Sequence, residues 1–140
     1  MIRKRIILIN SVLIVVLAVV FIAVTMFNKP HINVSEKAPN LSIEATKVLN
    51  DFQNNETEAN AKYLEKIIQV TGVISEQSLT NEKGIITLNS DDSFGSVMCH
   101  LDIKENKKMG ALKTGQTVII KGICTGYLMD VILVKCVILN

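Results

Sequence analysis

Arginine occurs only at positions 3 and 5 and nowhere in the rest of the chain. Proteins that bind nucleic acid concentrate positive charge against phosphates and favour the forked guanidinium for paired contacts. Beyond residue 27 there are 12 lysines against 13 aspartates and glutamates, a net of −1, so the +2 of the whole chain belongs to its N-terminal tip. Aromatic rings are as scarce, with only Phe52, Tyr63, Phe94 and Tyr127 in that region. Single-strand binders stack bases on aromatic platforms in a basic groove. No nucleic acid is therefore expected as a partner.

Catalytic signatures are missing too. The sequence holds no phosphate-binding loop, no metalloprotease helix motif and no nucleophile elbow. No enzymatic activity, cofactor or metal is expected. Cys99 and His100 are adjacent, but neighbours on a strand point to opposite faces and cannot converge on one metal. A buried cysteine beside an outward histidine is the expectation. His31 has no visible partner, and Asp91 with Asp92 reads as a solvated loop rather than a cation site.

What the chain does have is one long apolar run. From Ile6 to Phe27 there is no charge, and only Asn10, Ser11, Thr25 and Met26 interrupt Ile, Leu, Val, Ala and Phe. At about 1.5 Å per residue this spans the roughly 30 Å core of a bilayer. Arg3, Lys4 and Arg5 precede it and Lys29 alone closely follows, so the positive-inside rule keeps the N-terminus cytoplasmic. The expected organisation is a basic tip at 1–5, a signal-anchor helix at 6–27 in an inner or plasma membrane, a linker at 28–40 and an extracytoplasmic domain at 41–140. A cleaved signal peptide is the alternative, and it calls for an apolar core of only about 7 to 15 residues. Ala23-Val24-Thr25 makes a poor cleavage site, and no cysteine near the run can accept a lipid.

Pro30, Pro39 and Ser35 mark the linker. Leu41, Ala45, Val48, Leu49 and Phe52 then recur at helical spacing, which predicts a short amphipathic helix. Asn55 followed by Glu58 predicts a capped second helix running to about Leu64. The rest is strand-like: Ile67 to Ser75, with Gly72 as a bend, then Ile85 to Asn89 after a polar turn at Asn81 to Gly84. Ser96 to Ile103 alternates Val97, Cys99 and Leu101 against Met98, His100 and Asp102. A short helix or connection at Lys104 to Leu112 precedes strands at Gln116 to Thr125 and Val131 to Leu139. Five short strands with a helical connection after the third predict a mainly β fold, the OB-fold Greek-key barrel, with N-terminal amphipathic helices behind one transmembrane helix.

The segments Val70-Thr71-Gly72-Val73, Gly115-Gln116-Thr117-Val118, Lys121 to Tyr127, Asp130-Val131-Ile132-Leu133 and Cys136 together resemble the tRNA anti-like family of bacterial exported OB-fold proteins. The resemblance covers about Leu41 to the C-terminus. It implies the fold and no particular activity.

OB barrels bind ligands on the face of the second and third strands and in the loops after the first and fourth. In this chain those places hold Met98 and His100, the Gln77 to Lys83 loop, and Tyr127 with Asp130. Tyr127 reads first as an aromatic covering the barrel end and only second as a ligand contact. The expected role is an interaction module for an unidentified protein or small molecule. The alternative is a cofactor chaperone, because haem chaperones of cytochrome c maturation share this layout in architecture only. Their C-terminal histidine and tyrosine are missing here, where Val-Ile-Leu-Asn follows Cys136.

The three cysteines leave a choice open. An exported domain permits a disulfide, and Cys124 with Cys136 is the candidate pair on adjacent strands. An ideal hairpin would set Cys136 nearer Lys121, so a bulge must shift the register. Cys99 with Cys136 is the rival pair, and three reduced thiols are the remaining alternative.

Overall fold

The computed structural model describes residues 2–28, 32–89 and 94–140. His31, Asp91 and Asp92 lie outside these residues. The chain divides into two compact units, Met1–Ile32 and Asn33–Asn140. In the first, helix α1 (Ile2–Phe27) is long and apolar enough over Arg3–Phe27, at a mean hydropathy of 3.2, to cross a membrane.

The second unit runs β1 (Leu41–Glu44), α2 (Ala45–Asn54), α3 (Glu56–Tyr63), β2 (Ile67–Thr80), β3 (Lys83–Leu88) and β4 (Val97–Leu101). A 3-10 turn at Ile103–Glu105 and the single-turn α4 (Asn106–Met109) lead to β5 (Thr117–Leu128) and β6 (Asp130–Ile138). The strands follow the order β1-β2-β3-β4-β6-β5, and β5 pairs again with β2. The five expected strands thus close into the OB barrel. β4 and β6 are its one parallel pair.

Closure depends on β2, whose 14 residues serve two neighbours in turn. Its first half pairs with β5 from Ile67 opposite Ile123 to Val73 opposite Thr117. Its second half pairs with β3 from Ile74 opposite Leu88 to Thr80 opposite Lys83. The register shift that lets it turn lies between Ile74 and Glu76, two residues beyond the expected bend at Gly72. That glycine serves a close approach instead, since a Cβ there would lie 2.8 Å from the Ala45 Cβ and 3.2 Å from the Leu88 Cβ.

The helical expectation for Leu41 to Glu44 is corrected. These residues form a sixth strand parallel to β2, with Leu41 opposite Ile68 and Glu44 opposite Thr71. Leu41 and Ile43 are the covered members of an alternating pair of faces. Asn40 fixes the start, its backbone N–H donating to Ile67 O at 2.7 Å and its Oδ1 accepting from Ile67 N at 3.0 Å. The helix begins only at Ala45. Asn55 does cap α3, its Oδ1 accepting from Glu58 N at 3.2 Å. Apolar faces of both helices, including Val48, Leu49, Phe52 and Tyr63, join the inward residues of the strands in one core.

Part of the expected linker belongs to the barrel unit. Val34 is buried, and the Lys121 ammonium donates to Ser35 O at 3.2 Å and Lys37 O at 2.8 Å. The expected loop at Gln77 to Lys83 is corrected as well: Gln77 to Thr80 continue β2. Only Asn81 and Glu82, at φ 49° and 64°, turn the chain, the left-handed pair of a two-residue hairpin. Gln77 and Ser78 are half-buried and Leu79 and Thr80 exposed, so no alternation marks the strand, and the Asn106 side chain ties down its turn by accepting from Gly84 N and donating to Glu82 O.

In this structure all three cysteines are buried free thiols, and the register sets Cys124 and Cys136 apart. β5 and β6 turn tightly at Met129, which puts Cys124 opposite Leu133 and Lys121 opposite Val137. Register shifts between Cys124 and Gly126 and between Lys121 and Ile123 cancel, so Cys136 lies beside Gly122 and pairs with Leu101 on its other side.

Candidate functional site

OB barrels take ligands on the face of their second and third strands, here β3 and β4, and β6 extends that face beside β4. Register sets its rows: Thr87 lies opposite Met98, which lies opposite Ile132, and Ile85 lies opposite His100. Val134 adds a further outward position on β6. All six side chains are half-buried, alternating with the fully buried Ile86, Leu88, Val97, Cys99 and Leu133. Cys99 points in and His100 out, as the strand period requires.

Four of the six are aliphatic or thioether side chains, joined by one hydroxyl and one imidazole. None of the six is Lys, Arg, Phe, Tyr or Trp, while Lys83 continues the outward row of β3 and Lys135 is exposed on β6. The six offer dispersion contacts and two hydrogen-bonding side chains, Thr87 and His100. Sequence reading located Met98 and His100 but missed Ile85, Thr87, Ile132 and Val134. The available signal was that the outward positions of these strands are apolar, where a solvated face would be polar.

Tyr127 and Asp130 sit at the end of the β5–β6 hairpin and have packing and bonding roles. The Tyr127 ring stacks on Phe52 of α2. Asp130 Oδ1 accepts from both the backbone N–H and the hydroxyl of Ser96 at 2.7 Å, tying β6 to the start of β4.

Two further concavities flank the helices. A groove of about 400 Å³ lies where β1 gives way to α2, lined by Glu44, Thr46, Thr71, Gly72, Asn89 and Thr117 among others. Glu44 provides no side-chain cap to the first turn of α2. A smaller hollow of about 230 Å³ surrounds Asp51. Lys47, Tyr63 and Lys62 all donate to the Asp51 carboxylate. The Lys47 bond first, and then that from Tyr63, hold it well below the usual carboxylate range against the opposing effect of burial. Burial, followed by the bond to Asp51, pushes the Tyr63 phenol up. This cluster joins α2 to α3. Among the described residues no group of three His, Cys, Asp or Glu is placed to hold a metal.

The closed barrel and its strand order define an OB-fold protein. The chain belongs to the tRNA_anti-like family, whose sequence model matches residues 1–138 and so extends through α1. Among solved structures, it is similar to a lipoprotein from Klebsiella pneumoniae whose name presumes nucleic-acid binding. The TM-score is 0.61 at 18% identity, covering 70% of this chain and 91% of that one. That likeness establishes the fold. Lower similarity links it to the Stn1–Ten1 complex of S. pombe, with a TM-score of 0.43 at 18% identity over 53% of this chain and 58% of that one. An OBody bound to hen egg-white lysozyme gives 0.45 at 17% identity over 56% and 84%. No curated protein matches the sequence.

Proposed function

We propose that this chain is a membrane-held, extracytoplasmic interaction module that takes an apolar segment of a partner protein on the outer face of β3, β4 and β6, and that it performs no chemistry. The observation that carries the reading is the composition of that face: of Ile85, Thr87, Met98, His100, Ile132 and Val134, four are aliphatic or thioether side chains, and the imidazole of His100 is the one ring. Bases need stacking partners and phosphates need cations, whereas an apolar peptide surface needs neither. The apolar length of α1 and the excess of basic residues before it support a membrane span with the barrel outside.

A photo-crosslinking residue at Met98 of the full chain, activated in intact membranes, tests the reading. A protein adduct at Met98 that is lost in an Ile132→Lys background, with none from a probe at exposed Glu56, is the expected result. Nucleic-acid adducts, or equal labelling from both positions, would refute it. A reporter fused after Asn140 reads the topology separately, and activity of a cytoplasm-only reporter there would remove the extracytoplasmic assignment. Submicromolar oligonucleotide binding that falls steeply with salt would restore nucleic acid as the ligand.

A further inference from the structure

Two of the three buried thiols face each other inside the barrel. Cys99 pairs with Leu133 and Leu101 with Cys136 across the parallel β4–β6 ladder, and all four side chains are buried in the core. Between these pairs β6 takes three steps against two on β4, and Lys135 absorbs the extra residue at a φ of 52°. The bulge keeps Cys136 on the inward face, diagonal to Cys99, and the two thiols interact there. Gly122 of β5 leaves the space for that sulfur, because a Cβ there would lie 2.5 Å from Cys136 Sγ. Cys124 stands apart from this pair, its thiol meeting the backbone of Gly126.

We infer that Cys99 and Cys136 are a disulfide pair, a covalent tie between β4 and β6 made as the domain folds in an oxidising compartment. Formation in the cell rests on the extracytoplasmic placement proposed above; the pairing itself rests on the shared burial and interaction of the two thiols at the bulge.

The reaction is thiol–disulfide exchange with a disulfide oxidant, small molecule or protein. One cysteine thiolate attacks the oxidant's S–S bond, forming a mixed disulfide and releasing one oxidant thiolate. The second cysteine thiolate then attacks the mixed disulfide at the protein sulfur, forming the Cys99–Cys136 bond and releasing the other oxidant thiolate. The two cysteine thiols are oxidised, the oxidant gains both electrons, and their two protons pass to its thiolates. In the folded barrel neither thiol meets solvent, and burial with the adjacent Cys99 pushes the Cys136 thiol well up. Exchange therefore belongs to the incompletely folded chain, before β6 docks on β4. A bond between residues this far apart in sequence restricts the unfolded chain and stabilises the barrel.

The test refolds the full chain in detergent from a reduced, denatured state, once with oxidised and reduced glutathione and once with reductant alone. After acid quench, alkylation under denaturing conditions and peptide mapping should find Cys124 alkylated, and the peptides bearing Cys99 and Cys136 joined at a mass lower by two hydrogens. The glutathione-refolded protein should melt at the higher temperature. Cys124→Ser must lose the same two thiols, which keeps the test decisive if Cys136→Ser fails to fold. Three alkylated cysteines in folded protein, stable glutathione adducts or a bond through Cys124 would overturn the inference. These readouts do not depend on where the protein resides, so a cytoplasmic reporter result would remove the placement and leave the pairing standing.

Discussion

The rings of Phe52 and Tyr127 stack with centroids 5.5 Å apart and planes inclined by 18°. The contact joins the core face of α2 to the far end of β5 and covers one face of the Tyr127 ring. Tyr127→Ala should lower stability by about 2 kcal/mol through lost burial and stacking. Tyr127→Phe keeps the ring and should stay within about 0.5 kcal/mol of the parent in urea unfolding. Partner crosslinking from Met98 should survive the Phe change.

Lys121 is 6% exposed, and its ammonium has the carbonyls of Ser35 and Lys37 as partners. Replacing it by Met preserves volume but leaves those carbonyls without their donor, at a cost of about 1–3 kcal/mol. The segment from Ser35 to Lys37 should then open, and limited proteolysis should cut there faster than in the parent while the barrel strands stay protected. Equal cleavage rates would show that the strap is held by Val34 and Asn40 alone.

Asp51 links stability to acid. Its folded carboxyl lies below the ordinary 3.8, so its contribution is present above the unfolded value and is lost as pH falls through the folded one. Because Lys47 and Lys62 are substantially exposed, solvent screening limits the contribution to about 1 kcal/mol. Asp51→Asn should be less stable than the parent near neutral pH, and the difference should shrink steadily below pH of about 4. Denaturant melts at a series of pH values check this; a constant gap would assign the loss to packing.

Gly72 and Gly110 should respond unequally to alanine. A Cβ at Gly72 meets the Ala45 Cβ at 2.8 Å, whereas nothing lies closer than 3.6 Å to one at Gly110. Gly72→Ala should cost about 1–3 kcal/mol by forcing α2 off the sheet, and Gly110→Ala should fall within about 0.5 kcal/mol of the parent. Thermal melts of the two variants give the comparison directly.

Sequence alone determined the elements whose signals are local. The apolar run of α1 needs only side-chain hydrophobicity, the Asn55–Glu58 cap needs four consecutive residues, and the strands of the barrel carry their own alternation. That alternation also separated inward Cys99 from outward His100. Tertiary structure decided what depends on pairing between distant segments. Leu41 to Glu44 had helical spacing by coincidence with α2, and only the unpaired edge of β2 made them a strand. The arm at Gln77 to Thr80 has no buried face to pattern, so its ladder to β3 was invisible. The candidate face was half legible, because Met98 and His100 lie on the strand with the plainest alternation. Ile85, Thr87 and Ile132 joined them only when register placed three separate strands side by side. The cysteines show the same division: their export-compatible chemistry was readable, but which sulfurs meet was set by a single bulged residue in β6. A one-residue change of register exchanges the two faces of a strand, and that choice is made by packing across the barrel rather than within any one segment.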